Sequence, residues 1–139
     1  MTKTCKYVAL KNYIPQGLPS EDDFEIKTKE IKLNNKNNIH VLNSWISVDP
    51  YMRARMTERK NYKPPFKLGE EMEGYAIGSV QESDDDNFKI GDTVFSNFGM
   101  RDNFVCNSSQ LKKIHTSDLP IQSYFCLLYT SDAADDLVG

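Results

Sequence analysis

Between Gly69 and Gly99 glycine recurs at positions 69, 74, 78, 91 and 99, cutting β-rich sequence into short pieces. Glycine at that density inside strands marks tight corners or close backbone approach, as in a strongly curved barrel. The pieces read "LGEEMEGYAIGSVQES", "DTVFSNFGM" and "NFVCNSSQLKKI". Upstream, "KYVAL" (6–10) is a strand candidate, and "YIPQGLPSEDD" (13–23), broken by Pro15, Gly17 and Pro19, is a loop. "FEIKT" alternates Phe24, Ile26 and Thr28 against charges, and "EIKL" resumes with Ile31 and Leu33 in the opposite phase. That switch predicts a bulge or register break between them. "IHVLNSWISV" (39–48) is apolar enough to run through the middle of a sheet. "DPYMRARM" then reads as a short helix, with Asp49 as its cap and Pro50 at the first helical position, where the missing N–H costs nothing. Met52 and Met56 share one face of it, and Arg53 points off another. The double proline of "TERKNYKPPFK" (57–67) marks an exposed loop. The whole is one small, mainly β domain of barrel type with short helices.

Composition removes several classes of function. With 139 residues and a formal charge of -3, the chain has no general attraction for nucleic acid or an anionic membrane. No apolar run approaches the ~20 residues of a membrane span, and the N-terminus "MTKTCKYVAL" has no signal-like apolar region. Cys5, Cys106 and Cys126 are odd in number and far apart, which is neither a disulfide framework nor a zinc pair. Reduced thiols in a cytoplasmic protein are expected.

His40 and His115 are isolated, and a zinc site needs three or four convergent ligands, so no metal is expected. "DDDNFKIG" (84–91) lacks the spacing of a calcium loop and reads as a solvated turn. No G-x-G-x-x-G, Walker A or G-x-S-x-G sequence occurs, so the chain has no nucleotide cradle or nucleophile elbow of its own. On a strand, Glu71 and Glu73 would share one face with Glu70 on the other, a polar edge before a catalytic pair. Tyr51 is the more informative residue. It stands at the start of the expected helix, where backbone N–H groups favour negative charge, so its phenol could donate to a carbonyl or a developing enolate oxygen. On the residues alone, a packed or surface tyrosine stays the default.

At "SWISVDPYMRARM", together with "PPFKLGEEMEGYAIGSVQES" and "FKIGDTV", the sequence resembles the amino-terminal half of the zinc-independent medium-chain dehydrogenases/reductases. It is similar in particular to the NADP-dependent alkenal double-bond reductases and prostaglandin reductases. Ser47 to Met56, Gly69 to Gly74, Val80 to Ser83 and Phe88 to Val94 fit the family pattern in order, and the likeness runs from Lys3 to about Tyr124. The resemblance implies a GroES-like barrel domain, the N-terminal catalytic domain of a reductase whose Rossmann domain is missing here. It implies metal-free chemistry, because zinc-dependent cousins carry a Cys near "SVDPY" and a Gly-His-Glu where this chain has Gly69-Glu70-Glu71. It also implies a reaction: hydride from NADPH reduces the C=C bond of an α,β-unsaturated aldehyde or ketone. Carried onto this chain, Tyr51 binds or polarises the substrate carbonyl, and Pro50, Tyr51 and Arg53 lie near the cofactor. Met100 and Asp102 depart from the family, which usually has a Trp and then a Glu in that stretch.

The resemblance also sets expected boundaries. Residues 1–125 form the GroES-like oxidoreductase domain of a truncated protein. Residues 126–139 are not native, since "CLLYTSDAAD" (126–135) is similar to the translation of a transposase sequencing adapter, whose first base would complete the codon of Phe125. Such a fragment, without its cofactor domain, is expected to be inactive alone. Relatives are often dimers through that domain, which leaves a homodimeric parent open. A non-catalytic GroES-like binding module and a quinone reductase of the same superfamily stand as the alternatives.

Overall fold

The structure, a computed structural model, describes residues 3–34, 36–58 and 64–114. Its elements are β1 (Lys3–Leu10), β2 (Phe24–Ile31), β3 (Asn38–Ile46), α1 (Tyr51–Ala54), β4 (Ala76–Ser83), β5 (Thr93–Ser96), β6 (Asn103–Asn107) and β7 (Lys112–Lys113). The expected mainly β domain is what forms. β1 and β2 make an antiparallel pair, and the others form a five-stranded antiparallel sheet in the order β6-β3-β4-β5-β7. The expected tail of residues 126–139, Cys126 and His115 lie outside the described residues.

β1 joins the two sheets because both of its edges are hydrogen-bonded. One edge pairs with β2. On the other, Lys6 and Val8 exchange bonds with Asp102 and Met100: the Lys6 carbonyl accepts from Asp102 N (3.0 Å), and Val8 N donates to the Met100 carbonyl (2.8 Å). Further along, the carbonyls of Val8 and Leu10 accept from Met72 N (3.1 Å) and Gly69 N (3.0 Å). Backbone groups of a buried strand must all find partners, and these contacts curl the pair onto the larger sheet.

Side-chain alternation divides the core. Along β1, Cys5, Tyr7 and Ala9 are buried on one face with Ile31 against them. Leu10 turns the other way into a cluster with Ile14, Met52, Met56, Phe66 and Met72. Ile39, Val41, Val80, Val94, Phe104 and Cys106 fill the interior of the larger sheet. Burial pushes the Cys106 thiol up to about 12, so it is an inert, packed thiol at neutral pH.

Three local expectations need correction. β2 pairs with β1 without a break from Leu10↔Phe24 to Lys3↔Ile31, so the anticipated bulge is absent. Most of β2 is exposed, and no buried face forces its apolar residues into one phase. The register shifts fall instead between β3 and β4, at His40/Val41 and Asn43/Trp45. Secondly, β3 is an interior strand between β6 and β4, as expected, yet its later part is open: Trp45 is 45% and Ile46 39% exposed. Thirdly, Glu70, Glu71 and Glu73 are not on a strand, since β4 begins only at Ala76. That segment is held by isolated bridges, Ala9↔Glu71 and Gly74↔Phe98.

Candidate active site

Asp49, Pro50 and Tyr51 connect β3 to the core through a single helical turn. Met52 N donates to the Asp49 carbonyl (3.0 Å) and Arg53 N to the Pro50 carbonyl (3.1 Å). Pro50 has helical angles (φ -56, ψ -32), and its ring presets that φ at no cost in hydrogen bonds. The Asp49 side chain does not cap the turn as expected. Its Oδ1 accepts from the Ser47 hydroxyl (2.8 Å), and α1 has no side-chain cap. A helix of four residues also lacks the aligned peptides from which a macrodipole is built. The expectation that the helix start favours negative charge beside Tyr51 therefore loses its physical basis here.

What fixes the turn is packing. Met52 and Met56 are buried in the cluster around Leu10 and Met72, as their spacing predicts. Gly74 lies beneath Met52, where an added Cβ would come within 2.5 Å of Met52 Cε. Gly99 lies against Gly74 in turn, its N donating to the Gly74 carbonyl (2.8 Å) and an added Cβ standing 2.7 Å from that oxygen. Two of the glycines that punctuate the sequence are thus close-approach points that seat the helix.

Tyr51 is half-buried against the same cluster. Its ring meets that of Tyr75 edge-on, with centroids 6.1 Å apart and planes at 61°. Tyr75 stacks on Phe95 at 5.3 Å. Arg53 leaves the helix toward the 13–23 loop, where Nε (3.2 Å) and Nη2 (2.9 Å) both donate to the Gly17 carbonyl. Pro50, Tyr51 and Arg53 are therefore together on one turn, with Arg53 engaged by the protein's own backbone.

Two arginines order the backbone segments that pack near this turn. Arg55 donates from Nε to the Pro64 carbonyl (2.7 Å), lies 4.2 Å from the Phe66 ring centroid and faces Glu73 at 3.6 Å. Arg101 is buried and donates to the Gly99 (2.9 Å) and Met72 (3.1 Å) carbonyls. Burial depresses its pKa, with Glu71 and Glu73 acting in the opposite sense. Burial alone would raise the Glu71 carboxyl, but the hydrogen bond and charge of Lys29, a backbone bond and Arg101 outweigh it and hold the group below the usual range. Met100, where the sequence departs from the family it resembles, takes a left-handed φ of 56. Bulky residues rarely adopt that conformation, which costs about 1–3 kcal/mol; here it aims the Met100 carbonyl at Val8 N.

His40 is on β3 of the larger sheet, away from this turn. Asn103 Nδ2 donates to the Thr4 carbonyl (3.0 Å) and to Asp102 Oδ1 (2.8 Å), which leaves its Oδ1 to accept from His40 Nε2 (2.9 Å). His40 is thus a satisfied structural histidine on that nitrogen. Among the described residues no three His, Cys, Asp or Glu side chains converge as metal ligands, and no helix is long and apolar enough to cross a membrane.

The sequence singles out Tyr51 and its neighbours, and the structure sets Tyr75, Arg101 and the contact of Gly74 with Gly99 around them. The signal for the glycines was present in their density; nothing in the sequence marks Tyr75 apart from the other aromatics.

Residues 6–114 match the family described as the N-terminal domain of oxidoreductase. The NADP(+)-dependent 2-alkenal reductase of Nicotiana tabacum is 39% identical over 128 residues, which are 88% of this chain and 37% of that protein. Prostaglandin reductase 1 of Oryctolagus cuniculus is 30% identical over 100 residues, 72% of this chain and 27% of that protein. In fold, the crystal structure of CurA from Vibrio vulnificus superposes with a TM-score of 0.78 at 24% identity, covering 88% of this chain and 35% of that one. The same protein in complex with NADPH gives 0.75. This chain thus spans little more than a third of the tobacco protein. With a matching family domain over most of its described length and the mainly β fold on the page, the chain belongs to the medium-chain dehydrogenase/reductase family and corresponds to the N-terminal domain of its members.

Proposed function

We propose that this domain is the substrate-side half of an NADPH-dependent reductase of the C=C bond of α,β-unsaturated aldehydes or ketones. The observation that carries the reading is its 39% identity to the tobacco 2-alkenal reductase over 128 residues. When bound, NADPH would supply a hydride to the β-carbon of the conjugated system. The chain's own part is binding and orientation. Tyr51 stands at the first turn of α1 with its ring half-buried and its hydroxyl oxygen buried, and a phenol withdrawn from water can donate to a substrate carbonyl oxygen brought against it and to the enolate oxygen that develops from it.

Pro50, Tyr51 and Arg53 are the residues of this chain that would face the cofactor. Their fit is partial. The Nε and Nη2 donors of Arg53 converge on Gly17, and the described residues contain no glycine-rich loop opening a long helix that could cradle a pyrophosphate. In this scheme most of the cofactor contact belongs to a Rossmann domain of the parent protein, and we read the chain alone as inactive. No zinc takes part in this scheme, the parent acts on a small molecule in the cytoplasm, and a homodimer would form through the cofactor domain.

The test is NADPH oxidation by the full-length protein with trans-2-hexenal, beside a simple quinone. Turnover of the enal should fall about 100- to 1000-fold in Tyr51→Phe, from the ~2.7–4 kcal/mol found for single oxyanion donors. Unchanged kinetics would remove Tyr51 from the mechanism, and turnover of the quinone alone would move the activity to the other substrate class. Calorimetry on the 139-residue chain should show no tight NADPH binding; micromolar affinity would overturn the division of labour.

A further inference from the structure

The position of the Tyr51 ring is not set by its own helix. α1 has four residues, and a single turn has little cooperative stability to hold a side chain in place. On one side the ring rests on the Leu10–Met52–Met72 cluster. On another it meets the Tyr75 ring edge-on at 6.1 Å.

Tyr75 is held in three ways. Its carbonyl accepts from Ser47 N (2.9 Å), which ties it to the backbone immediately after β3. Its ring stacks at 5.3 Å on Phe95 of β5. It packs against the cluster of Ile77, Phe95 and Ile114, separate from the one beneath Tyr51. Gly74 just before it is pinned under Met52 and against Gly99. The aromatic series Phe95, Tyr75, Tyr51 therefore runs from the sheet to the helical turn.

We propose that Tyr75 is a positioning residue for Tyr51: its ring, braced on Phe95, fixes where the Tyr51 phenol points. The inference rests on the role given to Tyr51 above. A phenol that donates to a substrate oxygen must be placed closely, since a displacement of about 1 Å can cost as much as 100-fold in rate. An edge-to-face pair is worth about 0.5–1.5 kcal/mol beyond its buried area, enough to favour one ring position over its neighbours. Tyr75 needs no contact with substrate to exert this effect.

The experiment is a double-mutant cycle in the full-length protein, with NADPH and trans-2-hexenal. Tyr75→Leu should lower kcat roughly three- to tenfold, the ring pair's worth read as a rate, with KM for NADPH unchanged. Tyr75→Phe, which keeps the ring, should restore turnover toward that of the parent. In a Tyr51→Phe background, Tyr75→Leu should cost nothing further, because the group it positions is gone. Tyr75→Met, a flexible apolar filler, gives a second route should the leucine variant not fold. An equal loss in both backgrounds would overturn the inference and make Tyr75 merely structural. Full turnover by Tyr75→Leu while Tyr51→Phe is impaired would overturn it and leave the role of Tyr51 standing. Full turnover by Tyr51→Phe would overturn both.

Discussion

Replacing Arg101 with methionine should destabilise the domain by about 2–4 kcal/mol, although the substitution removes a charge from an apolar setting. Arg101 is 9% exposed, and its Nε and Nη2 reach the carbonyls of Gly99 (2.9 Å) and Met72 (3.1 Å). Both carbonyls belong to segments with little ladder of their own, linked by the isolated Gly74↔Phe98 bridge. A hydrogen bond from a charged donor contributes about 1.5–3 kcal/mol, and a buried acceptor left without one costs about 1–3 kcal/mol. Against this, the guanidinium is desolvated, as its depressed pKa reflects, and its loss returns part of that penalty. The Phe98 ring, 5.4 Å from the guanidinium carbon, adds a smaller favourable contact. Methionine fills a similar volume, so the deficit should reflect the carbonyls more than a cavity. Urea unfolding followed by the fluorescence of Trp45, the single tryptophan, measures it. At an m-value of about 1–3 kcal/mol/M the midpoint should drop by ~1 M or more without a change in slope. Arg101→Lys should recover little, because one point charge cannot serve two carbonyls as a fork does. A midpoint unmoved by Arg101→Met would refute the reasoning: the buried guanidinium would then break even, and its carbonyls would have other partners.

Two further outcomes can be checked on the same domain. The Glu71 carboxyl titrates below its ordinary 4.5 in the folded state, so its stabilising contribution is present above that pH and is lost as pH falls through the folded value. Glu71→Gln should therefore be less stable than the parent at pH 7, with the two stability curves converging on acidification; parallel curves would show that the Lys29 pair carries no linkage. Gly99→Ala should lower the melting temperature by several degrees, since its Cβ would meet the Gly74 oxygen, a backbone atom that cannot rotate away, at 2.7 Å. An unchanged melting temperature would mean that the two loops have room to separate.

The parts of this fold that were legible in the sequence are those governed by local chemistry. "KYVAL" and "IHVLNSWISV" announced β1 and β3 through their β-formers, and Met52 with Met56 announced the buried side of α1 and the turn that follows it. Where local pattern had no tertiary counterpart, reading failed. The phase switch in "FEIKTKEIKL" implied a bulge only if one face of β2 were buried, and most of that strand is exposed. Asp49 has the chemistry of a helix cap, yet the Ser47 hydroxyl two residues away takes its carboxylate, because short polar side chains bond readily to near neighbours in turns.

The site divides along the same line. Pro50, Tyr51 and Arg53 are consecutive enough for one motif to carry them, and the structure does place them on one turn. What supports that turn comes from far along the chain: Gly74 and Tyr75 before β4, Phe95 in β5, and Gly99 beyond it. No periodicity connects residue 51 to residues 75 and 95, since strand pairing and close glycine contacts bring them together only in the folded state. A four-residue helix makes this dependence unavoidable. On the proposed role of Tyr51, the motif supplies the functional group and long-range packing supplies its orientation. If Tyr75→Leu and Gly99→Ala each disturb Tyr51, they should do so differently: the first by freeing the ring at constant fold, the second by lifting the floor beneath Met52 and lowering stability together with turnover.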